Sequence, residues 1–74
     1  QDASSLSGAV VDSSGAFVPA AKLTLFEPAK RITRYALSNE AGLYSFDGLL
    51  AGSYTLLVTR EGFQDYRIDK ITLT

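Results

Sequence analysis

The clearest strand signal in the sequence is the stretch Ser53-Tyr54-Thr55-Leu56-Leu57-Val58-Thr59. It is rich in β-branched and aromatic side chains, which favour a pleated and partly buried strand. The segment Gly48-Leu49-Leu50-Ala51-Gly52 precedes it and Glu61-Gly62 follows it, so turn residues bound the run on both sides. A short run between two turns is typical of a strand in an antiparallel sheet.

Further runs of alternating apolar and polar residues extend from this strand towards both ends of the chain. The predicted strands cover residues 6–12, 21–25, 32–38, 43–47, 53–59 and 66–73. The apolar phase changes between Ile68 and Ile71, which predicts a bulge or a short turn near Asp69-Lys70. No window keeps a period of 3.6 residues, so we predict no helix.

Six short strands separated by turns indicate two packed β layers, because a single sheet of this size would leave one apolar face in water. The predicted core contains the side chains that share the inner phase of these strands. These are Leu6, Val10, Leu23, Leu25, Tyr44, Phe46, Leu49, Tyr54, Leu56, Val58, Phe63, Ile68 and Ile71.

Composition excludes several classes of function. A chain of 74 residues is long enough for one domain. It contains no Cys and no His, so it lacks a thiol nucleophile, a zinc–thiolate site and the commonest general base. A net charge of −1 argues against binding to nucleic acid. No apolar run approaches the ~20 residues that span a bilayer, so we expect no direct membrane insertion of this segment. Because the residue types for catalysis are mostly absent, we also expect no cofactor and no enzyme activity.

Three blocks of sequence carry a family resemblance. They are Gly8-Ala9-Val10-Val11-Asp12 with the Ser14–Ala21 segment that follows, Ser38-Asn39-Glu40-Ala41-Gly42-Leu43-Tyr44-Ser45-Phe46, and Leu49-Leu50-Ala51-Gly52-Ser53-Tyr54-Thr55-Leu56 with the later Gly62-Phe63. In this order and spacing they resemble the carboxypeptidase regulatory-like domain over nearly the whole chain. The departures are Ala20 for the usual Gly, Asn39 for the usual Asp and Leu50-Ala51 for the usual Pro pair.

The resemblance implies a transthyretin-like (prealbumin-like) Greek-key β-sandwich of six to seven short strands without a helix. We expect residues 1–5 to form a flexible N-terminal segment and residues 6–74 to form the domain. Members of the family commonly continue with another strand, so a closing strand is expected to be missing and a sheet edge to lie exposed near the C-terminus. A strand-edge dimer through this edge is one candidate assembly.

The resemblance also implies a cellular setting. Such domains accompany carboxypeptidases and bacterial surface proteins, and they stand at the N-terminus of TonB-dependent outer-membrane receptors. The opening Gln1-Asp2-Ala3-Ser4-Ser5 is similar to the start of a chain after removal of a signal peptide. We therefore expect an extracytoplasmic protein, in the periplasm or at the outer membrane or cell surface of a bacterium. The Lys–Asn cross-link of the related Cna B-type domains is not expected, because Val58 stands where its Glu would be.

Four residues form the candidate partner or glycan surface: Phe26, Arg34, Tyr35 and Leu57. By alternation Phe26, Tyr35 and Leu57 fall outside the core phase, and exposed aromatic side chains stack on sugars or dock partner domains. Arg34 belongs to a basic cluster with Lys30 and Arg31, which either meets an acidic partner or forms a solvated strand edge. We favour the solvated edge, because charged residues there discourage aggregation.

The Asp12-Ser13-Ser14-Gly15 loop has oxygen atoms that could bind calcium, but the ion needs about six to eight of them. An Asx-turn is the favoured interpretation of this loop. The leading functional hypothesis is a non-catalytic spacer or docking module that contacts a protein partner or a neighbouring domain of its parent. A carbohydrate-binding module and a transthyretin-like small-ligand or dimerisation module are the alternatives.

Overall fold

A computed structural model describes residues 4–74, which form six β-strands and no helix. The strands are β1 (Ser4–Ala9), β2 (Lys22–Glu27), β3 (Ile32–Leu37), β4 (Leu43–Leu49), β5 (Gly52–Thr59) and β6 (Tyr66–Leu73). β1 pairs with β4 in a two-stranded sheet, and the order β3-β2-β5-β6 makes a four-stranded sheet. All pairs in both sheets are antiparallel. The predicted all-β sandwich is confirmed.

The N-terminal boundary differs from the prediction. β1 begins at Ser4, whose register partner on β4 is Leu49, so Ser4 and Ser5 belong to a strand and not to a flexible segment. Ser4 and Ser5 are small and polar, so the apolar alternation did not predict a strand there, but backbone pairing with β4 includes them in β1. The remaining residues of the predicted flexible segment, 1–3, lie outside the described residues.

The core lies between the two sheets. Its buried cluster consists of Leu23, Leu25, Phe46, Leu49, Tyr54 and Leu56. The predicted core residues Leu6, Val10, Tyr44, Val58 and Ile71 are partly buried and pack against this cluster. Val18 and Ala21, which the alternation pattern did not select, are buried as well.

Two predicted core residues are wrong. Phe63 is 47% exposed because it lies in the turn between β5 and β6. Ile68 is 37% exposed although it lies opposite the buried Leu56 and therefore faces inwards. The two-stranded sheet is narrower than the four-stranded sheet, and it leaves this part of β6 uncovered.

The phase change in the last strand is a β-bulge, as predicted. Tyr54 pairs with Ile71 and Leu56 pairs with Ile68, so β6 has one residue more than β5 between these two pairs. Lys70 takes a positive φ of 61° at this point. β6 pairs with β5 alone among the described strands, which makes it a sheet edge near the C-terminus.

Two buried polar side chains fix the loops. The Ser38 hydroxyl accepts a hydrogen bond from the Ala21 amide at 2.9 Å and donates one to the Val18 carbonyl at 2.7 Å. The buried Glu27 carboxylate accepts from the amides of Lys30 at 2.7 Å and Ser53 at 3.4 Å. Each side chain supplies partners for backbone groups where the chain leaves the sheets.

Candidate functional site

The outer face of the four-stranded sheet brings together three of the four predicted surface residues. Thr24 on β2 pairs with Tyr35 on one side and with Leu57 on the other, so these residues form one row across the sheet. Phe26 lies two residues along β2, on the same face. Phe26, Tyr35 and Leu57 are therefore neighbours. Alternation placed them outside the core phase, and the strand order β3-β2-β5 brings them together.

Leu37 extends this surface, and sequence reasoning did not select it. It shares the phase of Tyr35 on β3, and both side chains are about two-thirds exposed, at 67% and 65%. Lys22, the register partner of Leu37, places its Nζ 5.2 Å from the centre of the Tyr35 ring. We refer to Phe26, Tyr35, Leu37 and Leu57 as the outer strip. The strip has basic neighbours in Lys22 and in Arg67, the register partner of Leu57.

Arg34 does not belong to the outer strip. It pairs with the buried Leu25, so its side chain leaves β3 on the opposite face. Its Nη2 donates a hydrogen bond to the Asp47 carbonyl oxygen at 2.9 Å and thereby ties β3 to β4. Adjacent residues of a strand point to opposite faces, so Arg34 and Tyr35 do not act on one ligand surface.

The predicted basic cluster is held by backbone acceptors. Lys30 Nζ donates to the Ala51 carbonyl oxygen at 2.8 Å, and Arg34 donates to Asp47 as described above. Both contacts connect the β2–β3 hairpin to the β4–β5 region. This geometry supports the structural interpretation of the cluster, because two of its three cations already have partners.

The loop at Asp12 and the loop at Asn39 have the same pattern of internal hydrogen bonds. Asp12 Oδ1 accepts from the amides of Ser14 and Ala16, and Asn39 Oδ1 accepts from those of Ala41 and Leu43, all at 2.9–3.0 Å. The predicted Asx-turn at Asp12 is confirmed.

The hydrogen bond from the Ser14 hydroxyl, followed by those from backbone amides, lowers the pKa of Asp12 below its usual value. Since Asp12 Oδ1 already accepts three hydrogen bonds, it is occupied by the loop itself. Within residues 4–74, no group of three or more acidic side chains is placed to hold a metal ion.

A groove of about 610 Å³ opens at one end of the sandwich. Its apolar wall includes Val10, Val58 and Phe63, and its rim includes Arg60 and Asp65. Asp12 and Asp65 both line the groove, and the Asp12 carboxylate already accepts hydrogen bonds from its own loop. Among the described residues, no helix has the length and apolar character to cross a bilayer.

Comparison with known families identifies the chain. A family model described as the carboxypeptidase regulatory-like domain matches residues 5–74. No curated protein and no solved structure gave a significant match. The match covers all six strands from the second residue of β1 onwards. The chain belongs to the carboxypeptidase regulatory-like domain family.

Proposed function

We propose that this domain is a non-catalytic docking module and that it contacts a neighbouring domain of its parent protein through the outer strip. The observation that carries the proposal is the contiguity of Phe26, Tyr35, Leu37 and Leu57 across three adjacent strands. Membership of a regulatory-like family supports a role without chemistry of its own.

The size of the outer strip indicates the kind of partner. Stable complexes between separate proteins bury about 1,200–2,000 Å² in total, which is more than four side chains supply. A domain connected through the same chain works at a high effective concentration and needs fewer contacts. A small apolar strip therefore fits a neighbouring domain better than a freely diffusing protein.

The parent that we propose is an extracytoplasmic bacterial protein, with a TonB-dependent receptor as the leading candidate. The family match and the order of the sequence blocks support this parentage. The flanking sequence of the gene product tests it directly. A signal peptide before residue 1 and a plug-and-barrel pattern after residue 74 are expected, and a cytoplasmic parent would contradict the proposal.

Hydrogen exchange in the parent protein tests the docking role. Joining the domain to its neighbour should slow exchange of the amides on β2 and β3 around Tyr35. The variants Tyr35→Thr and Leu37→Thr should abolish this slowing, because threonine keeps the strand propensity and removes the apolar contact. Thr33→Ser, on the same strand and face, is the matched control. Equal exchange with and without the neighbouring domain would contradict the proposal.

A carbohydrate-binding role is the second candidate. The exposed Tyr35 ring favours it, since aromatic faces stack on sugars, although the nearby Lys22 ammonium occupies part of the ring's environment. Binding on a glycan array that is lost in Tyr35→Ala would support this role. A uniform absence of signal across the array would leave protein docking as the function of the strip.

A further inference from the structure

β3 forms one edge of the four-stranded sheet, and β6 forms the other. The two ends of the described range meet on the β6 side, where the Ser4 hydroxyl donates to the Thr74 carbonyl oxygen at 3.0 Å. β3 lies at the far edge of this sheet, on the side of β4. The β3 edge is therefore distinct from the C-terminal edge, for which the sequence suggested a strand-edge dimer.

The alternation of hydrogen bonds shows which backbone groups of β3 are not paired with β2. The Ser38 amide donates to the Ala21 carbonyl oxygen at 3.0 Å, so these two residues are a hydrogen-bonded pair at the end of the β2–β3 ladder. Such pairs recur at every second position of antiparallel strands, so the even-numbered residues of β3 face β2. The odd-numbered residues face the open edge, and among residues 4–74 no other hydrogen bond reaches their backbone groups; they are Thr33, Tyr35 and Leu37.

β3 lacks the features that usually protect a sheet edge. Its sequence, Ile-Thr-Arg-Tyr-Ala-Leu, contains no proline and no glycine, and its register with β2 is unbroken. Its one charged side chain, Arg34, leaves on the inner face and donates to the Asp47 carbonyl oxygen. β6, by contrast, has a bulge and the Arg67–Asp69 ion pair. A regular edge without an outward charge is the kind to which another strand can be added.

Two exposed apolar side chains stand beside the free backbone groups. Tyr35 and Leu37 have the largest exposed fractions of the large apolar residues in the described chain. A strand that pairs with β3 would place its own side chains about 5 Å from theirs on the same face. Pairing at this edge would therefore cover apolar surface and supply hydrogen-bond partners at one place.

The β3 sequence is complementary to itself in an antiparallel register centred on Tyr35. In this register Tyr35 is opposite Tyr35 of the other copy and Thr33 is opposite Leu37, so every free group falls in a hydrogen-bonded pair. Aromatic pairs across strands stabilise a sheet. The same register brings the basic Lys30-Arg31 segment of one copy beside Glu40 of the other, so opposite charges meet at both ends of the paired strands.

We propose that β3 is a dimerisation edge, at which two copies of this chain pair about Tyr35 and join their four-stranded sheets into one. Pairing within the plane of the sheet leaves the outer face free, so the two outer strips become one longer strip. The dimer goes beyond the docking role proposed above and does not depend on it. One pair of six-residue strands buries less than the roughly 1,200 Å² of stable complexes, so the association depends on concentration.

Sedimentation equilibrium and amide exchange test the proposal together. The average mass should rise towards that of a dimer as the concentration of the chain approaches about 1 mM. Where the dimer predominates, exchange of the Thr33, Tyr35 and Leu37 amides should be slower by about tenfold or more, because each amide gains a partner. A chain that is still monomeric at about 1 mM, or a dimer whose newly protected amides lie on another strand, would overturn the proposal.

Mixed isotope labelling tests the register without any variant. Arg34 of one copy and Ala36 of the other form a non-hydrogen-bonded pair when the strands pair about Tyr35, with their Cα atoms about 4.5 Å apart. Nuclear Overhauser contacts between labelled and unlabelled copies should therefore link the Hα atoms of Arg34 and Ala36. Contacts that link other pairs of β3 residues, or contacts between β6 strands, would overturn the proposal.

Two lysine variants separate the edge from the face. Tyr35→Lys places like charges opposite each other at the centre of the dimer and should weaken association by about fivefold or more. Thr24→Lys is the matched control, because Thr24 lies beside Tyr35 on the same face but on β2. Its two copies would stand three strand spacings apart, about 14 Å, which exceeds the screening length at physiological salt. Association should therefore be unchanged in Thr24→Lys, and equal weakening in both variants would assign the contact to the outer face and overturn the proposal.

Discussion

Replacement of Ser38 by alanine should destabilise the domain far more than the loss of an exposed hydroxyl. Ser38 is buried, and its hydroxyl is the partner of the Ala21 amide and the Val18 carbonyl. Ala21 is fully buried and Val18 is 5% exposed, so water has little access to the two backbone groups that would lose their partner. The variant leaves one donor and one acceptor unpaired while the surrounding side chains stay in place.

The magnitude follows from the cost of unpaired groups. Each buried polar group without a partner costs about 1–3 kcal/mol, so the two groups left by Ser38→Ala should lower the free energy of unfolding by about 2–6 kcal/mol. For a domain of this size such a loss lowers Tm by at least about 8 °C. Urea denaturation should show a lower midpoint with an unchanged m-value. Exchange of the Ala21 amide should accelerate relative to the amides of the core strands.

Ser45→Ala is the matched control. Ser45 is exposed on β4, and its hydroxyl makes only a long contact of 3.3 Å with the Asp47 carboxylate. Its replacement should change the free energy of unfolding by less than about 0.5 kcal/mol. If Ser38→Ala and Ser45→Ala give equal losses, the buried hydroxyl does not hold the loop between Val18 and Ala21, and the reasoning is refuted.

Two further predictions concern the loops that contain Asp12, Gly15 and Gly42. Gly42→Ala should destabilise the domain by at least about 1 kcal/mol more than Gly15→Ala. Both glycines have positive φ, but only at Gly42 would an added Cβ lie 2.9 Å from Phe17 Cβ. Equal losses of stability in urea denaturation would contradict this prediction. Asp12 has a lowered pKa, so its contribution to stability is present above pH 3.8 and is lost as pH falls through the folded-state pKa. As pH falls from about 5 to about 2, the free energy of unfolding measured by urea denaturation should therefore fall less in Asp12→Asn than in the unchanged chain. An equal fall in both proteins would contradict the prediction.

Strand positions and the bulge in β6 were accessible from sequence because both are local. A period of two marks the face of each residue, and a change of phase marks an inserted residue. The same rule separates Arg34 from Tyr35, which grouping by chemical type had combined. Phase likewise placed Phe26, Tyr35 and Leu57 outside the core, but their contiguity depends on the strand order β3-β2-β5, which alternation does not give.

The relation between the two sheets was not accessible in this way. Ile68 has the inner phase of β6, and only the width of the opposite sheet decides whether that side is covered. Glu27 ends β2 beside a proline, which indicates a solvated turn. Its burial depends on backbone amides contributed by two separate segments. Pairing between layers and satisfaction of buried groups are tertiary properties, and alternation within one strand carries no information about them.

The sequence directed attention to the C-terminal edge, and the structure shows why exposure alone does not identify a pairing site. β6 is an edge strand, yet its bulge and its ion pair give it the features that oppose addition of another strand. β1 is also an edge, and its sequence carries no charge. The exposure of an edge and its readiness to pair are therefore separate properties, and the bulge and the charges of β6 bear on the second.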